Sequence, residues 1–132
     1  MMPNNQAVDQ FMNSEDTLWV YKEGELIFRS KKERLIPLLD YIHTFVPRVK
    51  GVTVFDQIVG NAAALLLRKA LCIEVHSPLG SQLAAQVLSE FSISYHFSKT
   101  VPHILNGTGN DMCPMEKLSL GKTPAEFYDA IR

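Results

Sequence analysis

Leu71-Cys72-Ile73-Glu74-Val75-His76 is a short, mostly apolar run, and its reading decides the fold. Its length suits a buried strand better than a helix. Ser77-Pro78 ends it. A helical pattern then fills 79–91, with Leu83, Val87, Leu88 and Phe91 on one face. A second strand follows over 93–97, where Ile93, Tyr95 and Phe97 alternate with polar neighbours. Strand, helix and strand in this order demand a right-handed parallel crossover.

The flanking segments extend this unit. Residues 17–30 read as a hairpin: Leu18, Val20 and Leu26, Phe28 alternate with polar neighbours, and Glu23-Gly24 supplies the turn. Ser30 and Glu33 have capping-box spacing. Leu35, Leu38, Leu39, Ile42 and Phe45 mark a helix whose regular part begins near Ile36, because Pro37 tolerates only a first turn. Val52 and Val54 read as a short extended piece. Residues 57–70 read as a helix with Asp56 as its N-cap. After a loop over 98–112, Pro114 opens a helix reaching about Leu120, and Thr123-Pro124-Ala125-Glu126 caps a last one. The expected architecture is a three-layer α/β/α domain with a mixed sheet over 17–132. Residues 1–16 form an N-terminal extension, in which Val8, Phe11 and Met12 have the spacing to dock on the body.

Composition narrows the function. Hydrophobic residues make up 46% of the 132-residue chain and charged residues 20%, which suits one folded domain with a real core. A net charge of −1 argues against a nucleic-acid binder, which needs a basic surface. The polar first 16 residues do not read as a signal peptide, and no apolar run approaches a membrane span. With only Cys72 and Cys113, a cytoplasmic, reduced protein is the simplest reading.

Chemistry is expected where parallel strands end. His76-Ser77-Pro78 ends one strand. The other feeds the Gly-rich loop Asn106-Gly107-Thr108-Gly109-Asn110-Asp111-Met112-Cys113-Pro114-Met115-Glu116, with His103 just before it. Cys113 stands at a helix start, where partial positive charge favours a thiolate. Asp111 can either order the loop through an Asx bond or meet a ligand, and Glu116 can cap its own helix. Gly60, Ala62, Ala63 and Ala64, near the start of the 57–70 helix, either pack it tightly on the sheet or let a ligand come close, and free N–H groups there can hold a phosphate or carboxylate. No metal site is expected, since the chain has no Cys-x-x-Cys, His-x-x-x-His or His-x-Glu. No cofactor is expected either.

The order of elements, with Ser77-Pro78-Leu79-Gly80-Ser81-Gln82 at a helix start, resembles the cytidine-deaminase-like fold. Deaminases of that fold carry His-x-Glu and Pro-Cys-x-x-Cys at two helix starts. In this chain the first motif is replaced by the Gly60-Asn61-Ala62 region, and the Cys positions fall on Leu79 and Gln82. The resemblance therefore implies a scaffold without zinc-dependent deaminase activity. More closely, the chain is similar to a small prokaryotic domain-of-unknown-function family with that fold. The similarity rests on Asp56, on Val59-Gly60-Asn61-Ala62-Ala63-Ala64, on Val101-Pro102, and on Asp111-Met112-Cys113-Pro114-Met115-Glu116-Lys117-Leu118. It runs from about Leu18 onward, with residues 1–16 outside it.

Three functional readings follow. The first is a domain binding a small anionic ligand, such as a nucleotide or an ADP-ribose-type metabolite, through Asp56, Gly60, Asn61, Ala62, His76, Asn106, Asp111, Cys113 and Glu116. The second is an enzyme with Cys113 or Asp56 as nucleophile, His103 being the base for the thiol. The third is a structural or regulatory homo-oligomeric module, whose contact face would be the polar side of the two strands: Cys72, Glu74, His76, Ser94 and His96.

Overall fold

The computed structural model describes residues 5–132. The elements run α1 (Asn5–Met12), β1 (Leu18–Lys22), β2 (Glu25–Ser30), α2 (Ile36–Phe45), β3 (Val52–Asp56), β4 (Ile58–Val59), α3 (Asn61–Lys69), β5 (Cys72–Ser81), α4 (Gln82–Glu90), β6 (Ser94–Val101), α5 (Pro114–Ser119) and α6 (Pro124–Ile131).

The six strands form one mixed sheet. β1 lies antiparallel between β2 and β3. The turn between β1 and β2 puts Glu23 at φ 53° and Gly24 at φ 82°. Two left-handed residues in a row match the twist of a two-residue hairpin. β5 is the spine. β3 pairs with its first half, β4 with Leu79 and Gly80, and β6 with the stretch from Glu74 to Ser81, all in parallel.

β5 is longer than the strand expected over 71–76. It runs through Pro78 to Ser81, and α4 starts only at Gln82, with the Ser81 hydroxyl accepting from Ala84 N at 2.9 Å. Pro78 falls where β5 passes from β3 to β4. The Ser77 hydroxyl bridges this point, donating to Leu79 O at 2.8 Å and accepting from Leu79 N at 3.2 Å. The helix expected over 57–70 is shortened in the same way: Ile58–Val59 pair with β5, and α3 begins at Asn61. Ser30 and Glu33 form no capping box. The Ser30 hydroxyl accepts from Lys32 N instead, and α2 starts at Ile36 behind Leu35. The capping box of Thr123 and Glu126 at the start of α6 is complete.

The sheet's two faces differ. On one, Leu18, Val20, Val54 and Val75 pack against Leu38 and Tyr41 of α2, Leu66 of α3, Leu88 of α4 and Phe127 of α6. On the other, α1 lays Val8 and Phe11 on Phe55, flanked by Trp19 and Tyr21. Edge-on and tilted rings at 5.1–5.9 Å join Phe11, Trp19 and Phe55. Residues 5–12 thus dock on the body through Val8 and Phe11, while Met12 stays exposed. Among the described residues, no helix is long and apolar enough to cross a membrane.

Candidate functional site

At the amino end of α3, a buried carboxylate of the protein itself meets two backbone N–H groups. Gly60 is the N-cap and has no side chain to offer. Glu116, from α5, supplies the cap. Its Oε2 accepts from Asn61 N at 2.7 Å and its Oε1 from Ala62 N at 2.8 Å. A Cβ on Gly60 would stand 2.4 Å from Oε2, so only glycine admits the carboxylate this close. Asn61 Nδ2 donates to the Ser119 hydroxyl at 2.9 Å, and that hydroxyl donates to Glu116 O at 2.6 Å. Burial pushes the Glu116 carboxyl up, against the pull of the two N–H groups and of the His103 charge. Of the expected ligand residues, the fold therefore brings Gly60, Asn61, Ala62 and Glu116 into one contact. Glu116 caps α3 rather than its own helix.

Asp56 ends β3 and is buried. It is not the N-cap of α3, because β4 intervenes. Its carboxyl accepts from the backbone of Ile58 and Gln57, yet burial raises its pKa from 3.8 to about 7. A carboxyl that changes charge near neutrality has the property acid–base chemistry needs.

The Gly-rich loop is largely self-contained. Asn106 Oδ1 accepts from Gly109 N and the Thr108 hydroxyl, both at 2.9 Å. Asp111 accepts from Met112 N at 2.7 Å and pairs with Lys117. That pairing holds the Asp111 carboxyl below its ordinary range. Cys113 is the N-cap of α5; its N–H donates to Ile104 O at 3.0 Å and its thiol is half-buried. Among the described residues, no hydrogen bond joins this thiol to His103. Where β4, β5 and the end of β6 meet the segment before this loop lies a cleft of about 450 Å³, lined by Ile58, Leu79, Val101, Pro102, His103, Ile104 and Leu105. Its size falls within the range of small-molecule sites.

His76 does not join this rim. Its ring stacks between Phe55, at 5.0 Å, and His96, at 4.5 Å, on the face of the sheet that carries α1. Glu74 lies two residues before it on the same face. One carboxylate oxygen, Oε2, stands 3.0 Å from His76 Nε2 and 2.9 Å from His96 Nε2. Cys72 is absent from this group. The register of β3 on β5 shifts between Val52 and Thr53, which turns Cys72 into the core, where burial pushes its thiol up to about 12. This cluster matches no zinc spacing in the sequence, because Glu-x-His on a strand and a histidine on the neighbouring strand form no single-segment pattern. The available signal was strand alternation, which puts residues two apart on one face.

The chain is similar to a crystallised DUF1893 family protein from Thermotoga maritima. The two are 30% identical and superpose with a TM-score of 0.86, over 99% of this chain and 90% of that one. No curated protein matches the chain. The family model for the domain of unknown function DUF1893 matches residues 6–132. The match takes in nearly all of α1. The chain belongs to the DUF1893 family, whose function is unknown.

Proposed function

We propose that this domain binds a small anionic molecule of nucleotide or ADP-ribose type at the rim formed by β4, the end of β5, the end of β6 and the start of α3. The reading takes the scaffold as a relative of the cytidine-deaminase-like fold that lacks the deaminase zinc motifs, with Gly60–Ala62 standing where deaminases carry His-x-Glu. The observation that carries it is the seat of Glu116: two backbone N–H groups grip a carboxylate at 2.7 and 2.8 Å beside a glycine with no room for a side chain. Such a seat suits a carboxylate or phosphate. The cleft adjoins it. Ile58 lines the cleft two residues before Gly60, and His103 both lines it and acts on Glu116 through its charge. A flat apolar group would lie on Ile58, Leu79 and Leu105. The ligand's anionic group would compete with Glu116 for the N–H groups.

The test is a thermal-shift and calorimetric series with inorganic phosphate, AMP, ADP and ADP-ribose on the wild-type chain and on Ile58→Trp. Ile58 is about half exposed, so the larger ring fills the cleft without entering the core. Stabilisation of the wild type by a nucleotide, lost in Ile58→Trp, supports the reading. If none of the four shifts the wild type, the reading is wrong.

A further inference from the structure

We propose that Glu74, His76 and His96 form a binding site for a divalent transition metal of the zinc type, on the opposite face of the sheet from α3. The inference does not depend on the rim. Its first support is the backbone. Glu74 and His76 are two apart on β5, and His96 is the register partner of His76 on β6. Strand alternation and parallel pairing therefore place all three side chains on one patch of one face.

The second support is convergence. The three donor atoms lie within 4.8 Å of one another, with the carboxylate oxygen 3.0 and 2.9 Å from the two Nε2 atoms. Donors on a four-coordinate zinc stand about 3.3 Å apart, given bonds of roughly 2.0–2.1 Å. To admit the ion, the Glu74 oxygen moves out by a few tenths of an ångström from each nitrogen, and the exposed His96 ring, stacked on His76 at 4.5 Å, turns so that both Nε2 atoms face one point. Two neutral imidazoles and one carboxylate are a donor set that zinc, cobalt and nickel accept.

The third support is the setting. His76 is 5% exposed and Glu74 13%, whereas His96 is 55% exposed. Phe55 backs His76 by stacking, which fixes its ring. The site is thus walled on one side and open on the other. Three protein ligands with one open side leave a position for water or a small ligand, as in catalytic rather than structural zinc sites.

The experiment is titration of the full-length protein with Co²⁺ alone, followed by visible absorption, and competition with Zn²⁺. The variants are His96→Ala and Glu74→Gln, with His43→Ala and Cys113→Ser as controls for an exposed histidine and the half-buried thiol. Wild type should take up one equivalent and show cobalt d–d bands without a thiolate charge-transfer band. The bands should survive in both controls. In His96→Ala, affinity should fall by more than about 100-fold, since loss of even an outer-shell partner costs 10–100-fold. His96 is the exposed member, so its removal leaves folding intact, which circular dichroism verifies. No stoichiometric uptake by the wild type overturns the proposal. So does uptake that is undiminished in both His96→Ala and Glu74→Gln.

Discussion

Glu116 caps a helix that is not its own: its Oε2 lies 2.7 Å from the backbone nitrogen of Asn61, 55 residues back along the chain. With Oε1 on Ala62 N, the carboxylate satisfies two of the N–H groups that any helix leaves unpaired at its start. Glu116→Ala strips both buried donors of their partner. Hydrogen bonds to a charged group contribute about 1.5–3 kcal/mol each and are not additive, so we expect a loss of about 3 kcal/mol in urea unfolding. Glu116→Gln retains one acceptor and should lose about half as much. A loss below about 0.5 kcal/mol for the alanine variant, the level of an ordinary surface change, would show that the carboxylate does not hold α3.

Gly60→Ala tests the same contact from the other side. Its Cβ would meet Oε2 at 2.4 Å and the carboxyl carbon at 2.5 Å. Gly60 itself has an extended backbone at φ −99°, which alanine adopts without strain. The cost therefore comes from pushing Glu116 off its seat, and should reach about 2 kcal/mol. In a Glu116→Ala background that obstacle is gone, and Gly60→Ala should cost less than about 0.5 kcal/mol. Equal costs in the two backgrounds would place the clash elsewhere.

Much of the frame was legible in the sequence because local signals agreed with it. Glu23-Gly24 marked the hairpin, Pro37 the start of α2, Pro114 the start of α5, and Thr123 with Glu126 the cap of α6. Boundaries failed where pairing overrode propensity. Val59 and Gly80 lie in helix-like surroundings but are held in the sheet by each other. Legibility at the site was uneven for a similar reason. Through its small residues, Gly60-Asn61-Ala62 marked a helix start with N–H groups in need of an acceptor. Nothing local announced that Glu116 would be that acceptor, since that contact depends on how α5 packs on α3. Glu74 and His96 stood on the expected polar face, but their convergence with His76 depends on the register of β6 against β5. Cys72 left that face because of an irregularity in the β3–β5 pairing that no residue type signals.

Asp56 should make stability fall as pH rises. Its pKa is 3.8 without the fold and about 7 within it. Below 3.8 the carboxyl is protonated in both states. Between the two values the unfolded chain has released the proton and the folded chain still holds it. Unfolding then releases protons, so stability declines with pH until the folded group also ionises near 7. Glu116, also raised by burial, acts in the same direction. His76, lowered chiefly by burial and by the His96 charge, acts in the opposite one, because the unfolded chain takes up its proton first as pH falls. Asp56→Asn mimics the protonated carboxyl at every pH and leaves the other two in place. At about 1.4 kcal/mol per pKa unit, wild type should lose up to about 3 kcal/mol relative to Asp56→Asn between pH 5 and pH 8. Denaturant curves at the two pH values measure this, and a constant difference between the proteins would show that Asp56 ionises as freely in the fold as outside it.

Tyr41 offers the opposite kind of substitution, one that should strengthen the fold. Its ring is fully buried, stacked on Phe45 at 4.9 Å and edge-on to Phe28 at 5.5 Å. Its hydroxyl is the one buried side-chain polar group without a hydrogen-bond partner among the described residues. Burial pushes its pKa up to about 12. A hydroxyl that leaves water and gains no partner costs about 1–3 kcal/mol. Tyr41→Phe keeps the ring and both aromatic contacts and removes that cost. The small void left by one oxygen returns part of the gain, so the variant should be about 1 kcal/mol more stable by urea unfolding. A loss of about 1 kcal/mol or more would mean that the hydroxyl holds a partner in solution and that the α2 side of the core is wetter at Tyr41 than its packing indicates.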